Sequence, residues 1–172
     1  MILKKFHFKK ISSTNDKAIK MIKAGYENGI ITTDKQISGR GRQGKKWISI
    51  NGNLYMSIFF QINKKTSIYK LNKNNINLVK KGLQKFSKKK INIKFPNDLL
   101  INKKKICGIL QETVFNKNKK FLIVGIGANI AGSPEIQNYP TSFLNDYTKN
   151  KINKSSVCRY IKVLYEKNYI VI

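Results

Sequence analysis

Between positions 39 and 47 the chain reads Gly39-Arg40-Gly41-Arg42-Gln43-Gly44-Lys45-Lys46-Trp47. Glycines let a backbone approach a ligand closely. The four cations among them suit a small molecule bearing phosphate or carboxylate. Trp47 offers a face for a purine, although a tryptophan here is also compatible with an ordinary core position. Two of the chain's three arginines fall in this stretch, in a composition otherwise dominated by lysine. That contrast argues against the bland reading, a flexible surface loop with incidental charge.

Two further stretches carry chemistry. Lys94-Phe95-Pro96-Asn97-Asp98-Leu99 precedes Lys105-Ile106-Cys107-Gly108-Ile109-Leu110-Gln111-Glu112, which sets polar groups at a strand end and on its hairpin partner. Val124-Gly125-Ile126-Gly127-Ala128-Asn129-Ile130 interrupts an apolar strand with two glycines. Glycine weakens a strand, so this pattern predicts either a bulge or room for a ligand against the backbone. No helix follows it, so it is not a dinucleotide fingerprint.

The elements that must position these residues follow from periodicity. Ser12, Ser13, Thr14 and Asn15 are polar caps ahead of Ala18, Ile19 and Ile22, which share a helix face, and Gly25 stops that helix. A short strand is expected at 30–33. The glycines make 39–47 a mobile, irregular loop. Alternation over 53–62 predicts a strand with Leu54, Met56, Ile58 and Phe60 on one face and Phe59 as the exception. Ile76, Val79, Leu83 and Phe86 predict a helix over 73–87. Strands are expected at 91–95, 106–114 and 120–130, with 99–101 pairing to 106–110 across a turn at 102–105. Val157, Ile161 and Leu164 mark a last helix. This order predicts an α+β fold, a mixed and largely antiparallel sheet flanked by helices.

A length of 172 residues with 41% hydrophobic residues is one domain with a proper core. The formal net charge of +27 first suggests a nucleic-acid partner. Lysine, asparagine and isoleucine, all encoded by A/T-rich codons, make up 78 of the 172 residues. Nucleic-acid readers favour arginine, so the charge reads better as compositional drift on a solvated surface, and nucleic acid is a disfavoured partner. Cys107 and Cys158 form no disulfide framework, and a single histidine leaves little for a zinc site. With no signal-peptide core and no apolar run long enough to cross a bilayer, a cytoplasmic protein is expected.

Taken in order, these motifs resemble the biotin protein ligase family. The match runs through Ser13-Thr14-Asn15, Gln36, the 39–47 loop, Asn53-Leu54-Tyr55-Met56-Ser57, the stretches 94–98, 105–112 and 125–130, and Thr141-Ser142-Phe143-Leu144. The resemblance implies a class II aminoacyl-tRNA synthetase/biotin ligase-like fold. It also implies ATP and Mg²⁺ as cofactors, with the metal carried by ATP and no metal site on the protein. Biotin is then the substrate, and a carboxyl carrier protein of acetyl-CoA carboxylase the partner. Lys105, Arg42 and Asp98 take the catalytic positions. Ser13, Thr14, Asn15, Gln36, Gly39, Arg40, Gly108, Gly125 and Gly127 fall on the biotin side. Arg42, Lys45, Trp47, Asn97, Lys105 and Asn129 fall on the adenylate side. Asp98 is open between orienting Lys105, assisting a metal and assisting the incoming amine.

The chain departs from the family pattern at Phe95, where tryptophan is usual, and at Lys45, where arginine is usual. The span 1–172 is expected to be the catalytic domain alone, with neither an N-terminal helix-turn-helix nor a C-terminal β-barrel; a homodimer is compatible with it. A lipoate or octanoyl ligase or transferase of the same superfamily is the alternative, and a basic nucleic-acid-binding protein is the alternative from another class. A degenerate ligase that binds biotin without turnover is a third.

Overall fold

The computed structural model describes residues 2–169; positions 1 and 170–172, the ends of the expected span, lie outside the described residues. The elements run β1 (Lys5–Ile11), α1 (Thr14–Lys23), β2 (Asn28–Gln36), β3 (Leu54–Ile62), α2 (Ile68–Gln84), β4 (Asn92–Lys94), β5 (Asp98–Ile101), β6 (Lys104–Asn116), β7 (Lys119–Ala128) and α3 (Lys154–Asn168). The strands form one seven-stranded sheet in the order β1-β2-β3-β7-β6-β5-β4. Among the named strands of the described residues, β1 and β2 pair parallel, joined through α1, and the other strand pairs are antiparallel. The expected α+β architecture with a mixed, largely antiparallel sheet is therefore observed.

Helices cover both faces of the central strands, which explains why Phe59 breaks the alternation of β3. Leu54, Met56, Ile58 and Phe60 join the main core with Ile76, Val79 and Leu83 of α2 and Val157 and Ile161 of α3. Phe59 points the other way, into a smaller core with Ala18 and Ile22 of α1 and with Ile31, Phe121 and Ile123. Helix α2 begins earlier than the predicted 73 because Ser67 caps it, accepting from the Lys70 amide at 3.4 Å, and Leu71 already extends its buried stripe. Gly82 lets α2 and α3 approach: a Cβ there would come within 2.6 Å of Ile161 Cγ1.

Strand β1 was not among the expected strands. Its lysines mask the alternation of Phe6, Phe8 and Ile11, which are only partly buried against the α1 core. Charged, half-covered residues are typical of an edge strand. The β5–β6 turn is also tighter than the expected 102–105. Asn102 and Lys103 alone form it, at φ of 49° and 64°, the two-residue geometry whose twist suits a hairpin. Lys104 and Lys105 consequently belong to β6.

The 39–47 stretch is more regular than its glycines suggest. Arg40 and Lys46 form an isolated antiparallel bridge, the Trp47 amide donates to Gly39 O at 2.8 Å, and the Gly41 amide to Lys45 O at 2.6 Å. A single 3₁₀ turn (Arg42–Gly44) closes the tip, with Gln43 at φ 54° and Gly44 at φ 73°. The segment after β7 returns alongside Lys105, whose amide donates to Pro140 O and whose carbonyl accepts from the Ser142 amide, both at 2.9 Å.

Candidate active site

The alternation of β7 creates a cleft. Phe121 and Ile123 lie beneath α1, and the next two positions on the same face, Gly125 and Gly127, lie where side chains would otherwise stand. Gly108 of β6 sits beside Gly127 in register. The result is a cavity of about 860 Å³, floored by these glycines, walled by the start of α1 and roofed by the 39–47 loop.

At the α1 wall, Ser13 accepts from the Asp16 amide at 3.4 Å, so the expected helix cap and the cleft wall are the same residues. Gln36 Oε1 accepts from the Thr14 amide at 2.8 Å and from Thr14 Oγ1 at 3.2 Å. Ser57 Oγ lies 2.7 Å from Thr14 Oγ1 and donates to Asn15 Oδ1 at 2.5 Å. Asn15 lies against Gly125, where any Cβ would overlap its side-chain oxygen. Its amide nitrogen donates to Glu112 Oε2 at 2.6 Å and to Leu110 O at 3.3 Å.

Lys105 owes its orientation to a bulge. The β5–β6 register shifts between Leu99, opposite Cys107, and Leu100, opposite Lys105, so Ile106 is an extra residue. Strict alternation would put Lys105 on the core face with Cys107. Instead Ile106 and Cys107 both enter the main core, and the Lys105 side chain crosses to the cleft, within 3.3 Å of a Cβ placed on Gly108. There Nζ lies 2.8 Å from Asp98 Oδ1. It also lies 5.3 Å from the centre of the Trp47 ring and 5.4 Å from that of Tyr139, within cation–π range. Tyr139 donates to the other Asp98 oxygen at 2.6 Å. Burial first, and the Asp98 hydrogen bond next, push the phenol well above its ordinary value, so it remains a donor. Of the partners that the three roles open for Asp98 would need, the one in contact with it here is Lys105.

The loop residues divide into held and unheld cations. Arg40 makes a two-pronged contact with Glu112, at 3.0 and 2.9 Å, and reaches Asp16 at 2.8 Å. The Glu112 bond, followed by the charges of Glu112 and Asp16, raises the guanidinium further above its ordinary value. Arg42 and Lys45 line the rim, exposed, with no ion pair among the described residues. Gly39 does not line the cleft. A Cβ there would come within 2.5 Å of Trp47 O, so Gly39 allows the two loop legs to meet.

Trp47 is half-buried, neither a core residue nor a free surface ring. Its indole lies against Gly108 and Gly127, and its buried Nε1 has no partner among the described residues. Asn97 lines the cleft while its carbonyl accepts from the Ile109 amide at 2.9 Å. Asn129 lines it too, tied by its side chain to Ser142 O at 3.1 Å.

Sequence reasoning missed Ser57, Glu112 and Tyr139 as site residues. Ser57 is a lone small polar residue between Met56 and Ile58, and Glu112 is one of only eight acids. Those were usable signals. Tyr139 had none, because the 134–141 segment has no periodicity. Among the described residues, no three acidic, histidine or cysteine side chains gather as a metal site, and no helix is long and apolar enough to cross a membrane.

Residues 7–129 match the model of the biotin/lipoate A/B protein ligase family. The chain is 32% identical over 154 residues to the bifunctional ligase/repressor BirA of Bacillus subtilis, covering 83% of this chain and 46% of that protein. It is 29% identical over 131 residues to the biotin–[acetyl-CoA-carboxylase] ligase of Paracoccus denitrificans, covering 72% of this chain and 53% of that protein. The chain thus spans about half the length of the curated relatives it matches. Among solved structures, biotin protein ligase from Aquifex aeolicus in complex with biotin and ATP superposes with a TM-score of 0.78 at 28% identity, covering 96% of this chain and 69% of that one.

Proposed function

The chain belongs to the biotin/lipoate A/B protein ligase family, and from that premise we propose that it activates biotin with ATP and transfers it to a lysine of a carboxyl carrier protein of acetyl-CoA carboxylase. The observation that carries this reading is the position of Lys105. Its ammonium is held by Asp98 between two aromatic rings, above a glycine floor and below a cationic loop.

In the first step a biotin carboxylate oxygen attacks the α-phosphorus of ATP, the bond to the bridging oxygen breaks, and pyrophosphate leaves with biotinyl-adenylate formed. Two anions must meet, so the barrier is largely electrostatic. In this reading Lys105, oriented by Asp98, offers its remaining ammonium donors to the biotin carboxylate and the α-phosphate, and Arg42 and Lys45 at the rim meet the departing phosphates. Mg²⁺ enters as the counter-ion of the triphosphate. Its fit to the protein itself is poor: Asp98, the carboxylate in the cleft, is already engaged by Lys105 and Tyr139.

In the second step the carrier lysine's amine attacks the acyl carbon of the mixed anhydride, AMP leaves, and an amide remains after the amine loses its proton. The hydrogen-bonding residues Ser13, Thr14, Asn15 and Gln36 suit the polar head group of biotin. The bare backbone at Gly108 and Gly127 seats the Trp47 indole, and that at Gly125 seats Asn15, so the surfaces its rings would meet are Trp47 and Asn15 themselves. The Trp47 ring face would take the adenine.

Incubation with biotin, MgATP and an acidic carboxyl carrier domain is expected to yield biotinylated carrier. Lys105→Met should lower the adenylation rate by about a hundredfold or more, as loss of a charge stabilising the transition state does. A folded preparation that transfers lipoate and not biotin would overturn the substrate assignment. One that transfers neither would overturn the reaction.

A further inference from the structure

Glu112 is not part of the cleft lining, yet it touches both halves of the site. Its two oxygens take the Arg40 guanidinium at 3.0 and 2.9 Å, and Oε2 also accepts from Asn15 Nδ2 at 2.6 Å. Asn15 in turn receives Ser57, and Arg40 is steadied by Asp16 at 2.8 Å. One carboxylate therefore joins the loop that roofs the cleft to the asparagine that fills its wall. With Asn15 Oδ1 taken by Ser57, the Asn15 amide nitrogen and the Arg40 guanidinium can only donate to it, so the arrangement needs an acceptor with no competing donor of its own.

We propose that Glu112 is a positioning residue that latches the 39–47 loop in its closed form and in the same contact fixes the Asn15 amide against Gly125. The latch is electrostatic at its Arg40 end and half-exposed, so it opens more readily as salt rises. Opening releases the loop roof and the Asn15 wall together. Substrate seated under the loop then gains from a wall and a roof set by one residue. That last consequence rests on the ligase reading of the cleft, whereas the latch itself does not.

The loop carries trypsin sites at Arg40, Arg42, Lys45 and Lys46, and Trp47 at its base is the only tryptophan of the chain. Limited trypsinolysis with fragment masses, and acrylamide quenching of Trp47, therefore read loop opening without any ligand. Glu112→Gln puts an amide donor opposite Arg40 or Asn15, so one contact must fail. Nicking after Arg42 is expected to rise about tenfold, the scale of one charge-assisted hydrogen bond. Quenching should rise with it, while far-UV circular dichroism stays unchanged. Wild-type nicking should accelerate with salt, and that of Glu112→Gln should not.

Glu112→Asp, which keeps the charge but is too short for both partners, should show intermediate opening, and it decides the matter if the glutamine variant fails to fold. Equal nicking and quenching in wild type and variant would overturn the latch. With biotin and MgATP, the variant should show a KM for biotin raised about tenfold and kcat within about threefold, the pattern of lost uniform binding. A wild-type loop whose nicking ignores biotin would overturn the reading of the cleft and leave the latch standing.

Discussion

At the scale of single residues, the site is defined as much by missing side chains as by reactive ones. The indole of Trp47 rests on Gly108 and Gly127, and a methyl group on Gly127 would overlap its five-membered ring. Gly127 has an ordinary strand conformation, so alanine there is excluded by space and not by backbone strain. Gly127→Ala should therefore displace Trp47 from the cleft floor and weaken binding of biotin and ATP by about tenfold or more, as overpacking by 1–3 kcal/mol does. The emission of Trp47 should shift with it. Gly132→Ala is the matched control, because its added carbon would meet Ile50 Cγ2 at an ordinary 3.5 Å. Isothermal titration of both variants checks the contrast; equal affinities would mean that the indole has another place to go.

At the scale of elements, the same sheet shows which structure a sequence exposes and which it hides. Strand β3 and helix α1 were legible because burial on defined faces leaves a period, and Phe59 only needed a second core to explain it. The glycine loop and its arginines were legible because they contrast with the lysine background. The bulge at Ile106 was not, since a one-residue register shift depends on the partner strand, although it alone turns Lys105 towards the cleft. Tyr139 and the Glu112 contacts were hidden for a related reason: they join residues 41 and 72 positions apart, which no local pattern encodes.

A long-range tie of the same kind fastens α3 to the sheet. Lys154 opens α3, where a positive charge opposes the helix dipole, and Asp34 of β2 answers it at 2.7 Å. The Lys154 hydrogen bond, with its charge and that of His7, holds the Asp34 carboxyl below its ordinary value despite some desolvation. A carboxyl depressed in the folded state stabilises above its unfolded pKa, and the effect is lost as pH falls through the folded one. Asp34→Asn should lower the melting temperature at pH 7. The gap to wild type should close as the pH drops from about 4 downwards, since the unfolded carboxyl titrates near there. Melting curves across that range check it, and a gap independent of pH would assign the loss to packing instead.

At the scale of the whole molecule, the +27 charge and the chemistry of the cleft separate. The cations at the heart of the site are neutralised locally, Lys105 by Asp98 and Arg40 by Glu112 and Asp16. The remaining lysines are mostly solvated, and their field extends over about a Debye length of 8–10 Å at physiological salt. A field of that kind acts on encounter and not on a bound substrate. If an acidic carrier domain is the acceptor, the two reactions should respond differently to salt. Adenylation measured at saturating biotin and MgATP should change little between about 20 and 200 mM salt. The second-order rate of transfer to the carrier should fall by about tenfold over the same range, the lower end of electrostatic steering. Stopped-flow transfer from preformed adenylate at each ionic strength measures the second quantity alone. A flat profile would mean that the lysine surplus does not steer the carrier, which leaves compositional drift as its whole account.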